Sequence, residues 1–582
     1  MTDHPSFSAN PISSLTTALE NSGLVRIDQK WVTKRVGLFP LSWQSKIGAD
    51  YVHIWETKSF RDANTRLREL ADQMYLAGTG LLASSTHEIV KRYADIISKR
   101  LEKDFFDLLR RTDDQDFVIN KIIEEVESRG LVFPLDHTAY CTKDQKIAAL
   151  ARVFKANWWA RKIRRIQNKK LEQIARDLRI VHRHNQVYCS NISVSNRKEQ
   201  KRRNARMIEG LEVVSDEGDV LNLAECVEAS VANPENRRSE LMVRMRGFED
   251  VANRAGHQGV FITLTAPSKF HAVHSSGHNN GKYQGANPRE AQDYLCGVWA
   301  KVRAAWKRQG IEPYGFRVAE PHHDGTPHWH LILFIEPTQL DPAIGTFREY
   351  AVSEDRNELR NGVQARFDTK LIDPNKGSAT GYIAKYISKN INGYGIDEDL
   401  ESGRDAQSSA VRVEAWASLW GIRQFQQIGG PQVSIWRELR RVSEEEANEL
   451  FQQSGNELPE SIEQARAAAD ASNWAAFVML MGGPTCKRID QPLKLHKEIR
   501  RTETGEWEEN EYGEIISRVR GVIDRVKGKV AMLLTRSKQW SVRRAEHDSA
   551  PQVAPWSSVN NCTRDSNTHK QLDNRGQGLA YG

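Results

Sequence analysis

The sequence predicts an α+β domain inside a largely helical chain of several domains, and three observations carry that reading. Long stretches on both sides of the middle repeat apolar residues at i, i+3 and i+4, the period of a helix packed on one face. Short β-rich runs cluster between residues 259 and 335. His328-Trp329-His330 opens the last of these runs, and Tyr382 and Tyr386 follow about 50 residues later in a segment of helical pattern.

Taken in order, residues 1–135 form a helical N-terminal region whose chemistry is silent; Ser59 to Leu76 and Ser84 to Lys103 are its clearest amphipathic stretches. Residues 136–239 form a basic helical block, helical from Thr142 to Leu178, with a more acidic joint from Val213 to Val231. The α+β domain, which carries the histidine and tyrosine motifs, is expected at 240–395. Its β-rich runs are Gly259 to Thr265, stopped by Pro267, then Gly315 to Glu320, then Leu331 to Ile335, with a helix from Pro288 to Gln309 between the first two. Residues 396–545 are expected to be mainly helical and poor in strands, with a Trp-rich helix from Val411 to Gln427 and an acidic one from Ser443 to Gln453. The tail 546–582, rich in Ser, Asn, Gln and Gly, is expected to be disordered. A chain of 582 residues has room for about three or four such domains.

The formal charge is only +7, but it is unevenly spread. Residues 151–210 hold 17 Lys or Arg against 4 Asp or Glu, a net of +13, so the remainder is acidic. Arg161, Lys162, Arg164, Arg165, Lys169 and Lys170 form one run, interleaved with Trp158 and Trp159; Lys201, Arg202 and Arg203 belong to a second. Such a stripe fits a nucleic-acid phosphate footprint, and it also fits an ordinary solvated helix face. The six cysteines are scattered without a Cys-x-x-Cys pair, which argues against a zinc ribbon or a disulfide scaffold. No charged-then-apolar leader is visible and no 18 apolar residues run together, so a soluble, intracellular protein is expected.

The chemistry resides in the paired motifs. In a strand, side chains at i and i+2 share a face, so His328 and His330 can grip one ion while Trp329 and Leu331 turn to the core. In a helix, i and i+4 share a face, so Tyr382 and Tyr386 can address one small site; Lys385 and Lys389 are spaced to do the same. A second His-x-His, His182-Arg183-His184, lacks a following apolar strand and reads as solvated or phosphate-facing.

This set resembles the HUH endonucleases, named for histidine, hydrophobic residue, histidine, with the two-tyrosine signature of rolling-circle initiators. Trp416 to Phe425 and Trp436 to Arg441 resemble the replication gene A protein family of tailed bacteriophages, and the resemblance covers roughly 250 to 445. It implies an antiparallel sheet with the histidines on a central strand and the tyrosine helix packed near it. It also implies a third metal ligand from the neighbouring strand, where Glu320 stands; His322, His323 and Asp324, in the turn Pro321 to Pro327, compete for that role. A carboxylate beside two imidazoles suits Mg²⁺, or else Mn²⁺. A tyrosine nucleophile would conserve the phosphodiester energy as a 5′-phosphotyrosine and leave a 3′-OH. Lys385 or Lys389 beside the phenols could lower their pKa or hold the scissile phosphate.

The expected function is origin nicking and strand transfer in rolling-circle phage DNA replication, the alternatives being a relaxase or transposase of the same superfamily, or a non-enzymatic DNA-binding protein. No Walker A loop is present: Gly277 to Tyr283 has the wrong spacing and the wrong last residue. The helicase, and likewise the polymerase, are therefore expected to come from the host, with origin DNA as the substrate.

Overall fold

A computed structural model describes residues 26–136, 141–373, 375–393, 398–399, 404–453, 458–501, 505–524 and 531–545, so the expected tail lies outside the described residues. The chain forms two compact units, one of residues 1–180 with 501–516, the other of 181–500 with 517–582. The seam at 180 falls inside the 136–239 stretch expected to form one basic block.

The first unit is built of helices. Phe60–Gln73 begins where the Ser59 hydroxyl accepts from the Asp62 amide, and it buries Ala63, Leu67, Leu70 and Ala71. His87–Leu109 buries Val90, Ala94, Ile97 and Leu101, the three- and four-residue spacing that the sequence displays. The expected helix from Thr142 to Leu178 is two helices, Lys143–Val153 and Ala156–Asp177. Trp158 and Trp159 are 4% and 0% exposed, and the Trp159 indole donates to the Val153 carbonyl at 2.7 Å. These tryptophans are core residues rather than an aromatic interleaving of the basic stripe, because burial of so large an apolar surface outweighs the charge pattern around it.

The second unit holds a five-stranded antiparallel sheet. Its strands are β1 (Gln258–Thr265), β2 (Tyr314–Pro321), β3 (Pro327–Ile335), β4 (Phe367–Leu371) and β5 (Phe425–Ile428), in the spatial order β4-β1-β3-β2-β5. The histidine strand β3 is therefore central, and all nine of its residues are buried. Period two sorts its side chains. Trp329, Leu331 and Leu333 pack on one face with the helices α1 (Pro288–Gln309) and α2 (Pro337–Ala351). Ile332 and Phe334 face the other side, with helix α3 (Ala379–Ile391), which inserts Ile383, Ile387 and Ile391 at four-residue intervals.

The region after 395 has the expected helices, the acidic Glu444–Gln453 among them, but departs from expectation in its strands and in the bounds of the Trp-rich helix. The Trp-rich helix α4 (Ala406–Trp420) ends at Gly421, whose φ of +64° is the left-handed C-cap conformation. The chain then enters β5, pairing Phe425 with Val318 and Ile428 with Gly315. Residues 493–545, expected to be poor in strands, contain Leu493–Ile499, Ser517–Asp524, Ala531–Leu533 and Trp540–Arg544. The first three form one small sheet, and the fourth pairs with Leu211–Ser215 in another. Their charge-rich, largely half-exposed or exposed residues show no apolar alternation, so distant pairing rather than local pattern decides them. Among the described residues no helix is long and apolar enough to cross a membrane.

Candidate metal centre and tyrosine helix

The site grows out of a hairpin. β2 and β3 are joined by a tight turn in which the His322 amide donates to the Thr326 carbonyl at 2.8 Å and Gly325 takes a φ of +81°. That turn sets the register in which Glu320 faces His328 directly, while Val318 faces His330. On the other side, β1 places Thr265 opposite His328 and Thr263 opposite His330.

Glu320, His328 and His330 are 1%, 5% and 7% exposed, and one ligand atom from each lies within 4.8 Å of the others. The two Nε2 atoms approach to 2.9 Å, and His330 Nε2 lies 3.7 Å from Glu320 Oε2. Among the described residues this is the one group of three or more His, Cys, Asp or Glu with metal-holding geometry. Three supports make it a built site. The Thr263 hydroxyl lies 3.2 Å from His330 Nδ1, which leaves Nε2 to face the centre. Burial, followed by the neighbouring His322 and His330, pushes the His328 pKa well below its ordinary value, so the ring stays neutral with a nitrogen lone pair to donate. The Asn390 amide donates to Glu320 Oε1 and, at 2.6 Å, to the Tyr386 carbonyl, while Gln424 donates to Asn390 Oδ1 at 3.2 Å. The residues thus fit a divalent cation with mixed imidazole and carboxylate ligands.

The competitors for third ligand are otherwise engaged. Asp324, 0% exposed, accepts from the Ala272 and Thr326 amides at 2.9 and 3.0 Å and lies 3.4 Å from His271 Nδ1. His322 stacks its ring on that of His328 at 3.9 Å between centroids. His323 is buried in the same turn, outside the three-residue group.

Helix α3 brings the tyrosines to this face. Its first turn is held by Glu249, whose carboxylate accepts from the Ala379 and Thr380 amides at 2.6 and 3.1 Å, a favourable place for negative charge. The Tyr386 ring lies 4.1 Å from that of His330 and 5.5 Å from that of Phe261. Tyr382, one turn earlier, is 6.4 Å from Phe261, with Lys370 Nζ 5.2 Å from its ring centre. The two lysines part company because the C-terminal half of α3 runs deeper. Lys385 is exposed, whereas Lys389 is buried with Nζ 3.6 Å from Glu320 Oε2 and 5.4 Å from the Tyr188 ring centre.

The basic residues are distributed differently from a single stripe. Arg161 and Arg165 are exposed on Ala156–Asp177, while Lys162, Arg164, Lys169 and Lys170 are partly buried. Lys162 lies over Trp158 at 5.5 Å, and desolvation followed by its arginine neighbours lowers its pKa. Lys201, Arg202 and Arg203 belong to the second unit, where Lys201 pairs with Glu414 at 2.9 Å and the two arginines pair with Glu199.

Sequence reasoning missed Asn390, Gln424, Thr263 and the bracing role of Trp416. The Trp416 indole donates at 2.7 Å to the Gly325 carbonyl, in the turn between Glu320 and His328. The Asn390 signal was present at i+4 from Tyr386; the others are set by cross-strand register and by a hydrogen bond between residues 91 apart.

A family model described as "Bacteriophage replication gene A protein (GPA)" matches residues 86–394, more than half of the chain. The chain belongs to the bacteriophage replication gene A protein family. Within this family it is 41% identical over 447 residues to the "Replication gene A protein" of Escherichia phage 186, covering 75% of this chain and 62% of that protein. It is 40% identical over 430 residues to the "Probable replication protein P12" of Pseudoalteromonas phage PM2, covering 73% of this chain and 63% of that one. A "Probable replication endonuclease from prophage-like region" of Salmonella typhimurium is 35% identical over 435 residues, 73% of this chain and 53% of the relative. The chain thus spans between half and two thirds of the length of these relatives. No solved structure matches it.

Proposed function

We propose that this chain is a phage replication initiator of HUH type, which nicks one strand of origin DNA through a tyrosine and later rejoins strands. The observation that carries the reading is the conjunction at one sheet face: a buried Glu320, His328 and His330 group with ligand atoms within 4.8 Å, and the Tyr386 ring 4.1 Å from that of His330. Relatives named as replication proteins and as a probable replication endonuclease support it.

A divalent cation bound by Glu320, His328 and His330 would supply Lewis-acid neutralisation of the phosphoryl oxygens. The chain's own groups do the rest. The Tyr386 phenolic oxygen forms a bond to phosphorus, the bond from phosphorus to the 3′ oxygen breaks, the phenol gives up its proton and the departing oxygen gains one. Lys389 Nζ lies 3.6 Å from Glu320 Oε2, where a phosphate drawn to the centre would meet it. Tyr382, one helical turn away, serves the second transfer while the first tyrosine holds DNA. The 3′-OH primes synthesis by a host polymerase behind a host helicase.

The test is incubation of a supercoiled plasmid carrying the phage's own origin with the protein and Mg²⁺. Open circles with protein attached to a 5′ end are expected. A mobility shift without any strand break overturns the reading in favour of a DNA-binding protein.

A further inference from the structure

The His182-Arg183-His184 segment, unused by the proposed metal centre, lies against the loop that follows β1: a Cβ on Gly277 would sit 3.4 Å from His182 Nδ1. Arg183 from that segment and His274 from that loop line a cleft of about 580 Å³, together with Thr265, Lys282, His322 and Arg366. Among the described residues its one acidic lining residue is Glu358, held by Arg366 at 3.0 Å and by Lys282 at 3.3 Å. Arg183, Lys282 and Arg366 against Glu358 leave two net positive charges in the wall, before any contribution from its histidines.

The position of the cleft is as informative as its charge. Along β1, Phe261 lies under Tyr386, Thr263 faces His330, and Thr265 faces His328 and lines the cleft. The His322 ring, stacked on His328, belongs to the same wall. The tyrosine and the cleft therefore flank the two histidines on opposite sides. In an in-line displacement the leaving group departs on the side away from the nucleophile.

We infer that this cleft holds the leaving strand, the single-stranded DNA 5′ of the nick whose 3′ oxygen is released, with Arg183 and Lys282 gripping its backbone phosphates. This rests on the nicking reading above. The bonds exchanged are those already given; the cleft only retains the 3′-OH product, so that it can attack the phosphotyrosine when strands are rejoined.

The test is a rejoining assay with the full chain. The nick is first mapped, the covalent adduct is formed on an origin oligonucleotide, and a synthetic strand matching the sequence 5′ of the nick is titrated in at several salt concentrations. Replacing Arg183→Gln together with Lys282→Gln should raise the half-saturating concentration of that strand and reduce its log-log salt slope by about 1.4, at roughly 0.7 per phosphate on a single strand. Arg183→Gln alone, on an exposed turn, should give about half that change and guards against misfolding of the double variant. Arg183→Lys with Lys282→Arg should restore the native slope. Unchanged half-saturation and slope in the Gln variants overturn the assignment while leaving nicking intact. Absence of any adduct with the native chain instead removes the nicking reading itself.

Discussion

The chain carries the His-x-His spacing twice within one compact unit, and the two copies have opposite fates. His328 and His330 lie on a central strand, both buried, with Nε2 atoms 2.9 Å apart. His182 and His184 lie in a turn region with ring centroids 6.2 Å apart and His184 exposed. Identical spacing thus gives a chelating pair only where backbone pairing holds both rings on one face and neighbours aim the nitrogens. The second unit also separates two kinds of basic side chain. Lys389 is buried against the proposed metal-ligating carboxylate, whereas Lys201, Arg202 and Arg203 direct their charge to Glu414 and Glu199 at the surface.

The largest effect should come from breaking the strand pair. His328→Ala or His330→Ala is expected to lower nicking by at least about 10³-fold, with DNA binding nearly intact, because phosphate contacts elsewhere dominate affinity. EDTA should reproduce these variants, and His184→Ala should nick at the native rate. Full-rate nicking in EDTA would falsify the metal mechanism; equal loss of binding and nicking would mean that the histidines hold the fold.

The tyrosines come next. Tyr386→Phe keeps the ring on His330 and removes the hydroxyl, so it should eliminate the first covalent adduct, whereas Tyr382→Phe should spare that step and impair the second transfer. Mass spectrometry of the adduct peptide reads this directly. If the double variant still traps DNA, the nucleophile is elsewhere, and Tyr394, outside the described residues, is the next to test.

A smaller effect is expected behind the ligands. Asn390→Ala removes the amide that ties Glu320 to the tyrosine helix, and should weaken metal binding by about 10- to 100-fold. Mn²⁺ titration followed by electron paramagnetic resonance measures it independently of DNA, and an unchanged dissociation constant would show that Glu320 needs no such support.

The smallest effects belong to the surface cations. Replacing Arg161, Arg165, Lys169 and Lys170 by Gln should flatten the salt dependence of duplex binding by about 0.9 for each phosphate that is no longer neutralised. Replacing Lys201, Arg202 and Arg203 should change stability by less than about 1 kcal/mol, since exposed ion pairs contribute little. An unchanged slope in the first set would make that helix face an ordinary solvated one.

Local periodicity in the sequence was enough to determine the elements of the proposed centre. Period two assigned Trp329 and Leu331 to one face and the histidines to the other, and the i, i+4 spacing put Tyr382 and Tyr386 on one face of a helix, because both signals depend on nearby residues alone. Glu320 was legible as a candidate third ligand through the family resemblance and its place eight residues before His328. Tertiary structure decided the rest. It buried Trp158 and Trp159, turned Lys389 inward and Lys385 outward, and supplied β5 and the small sheets after residue 493 from pairings with distant strands. It also braced the Glu320 to His328 turn with Trp416 and set a cationic cleft beside the histidines. Each of these depends on which remote segment arrives to cover a surface or accept a hydrogen bond, a choice settled by the free energy of the whole packed unit and invisible in any short window of the chain.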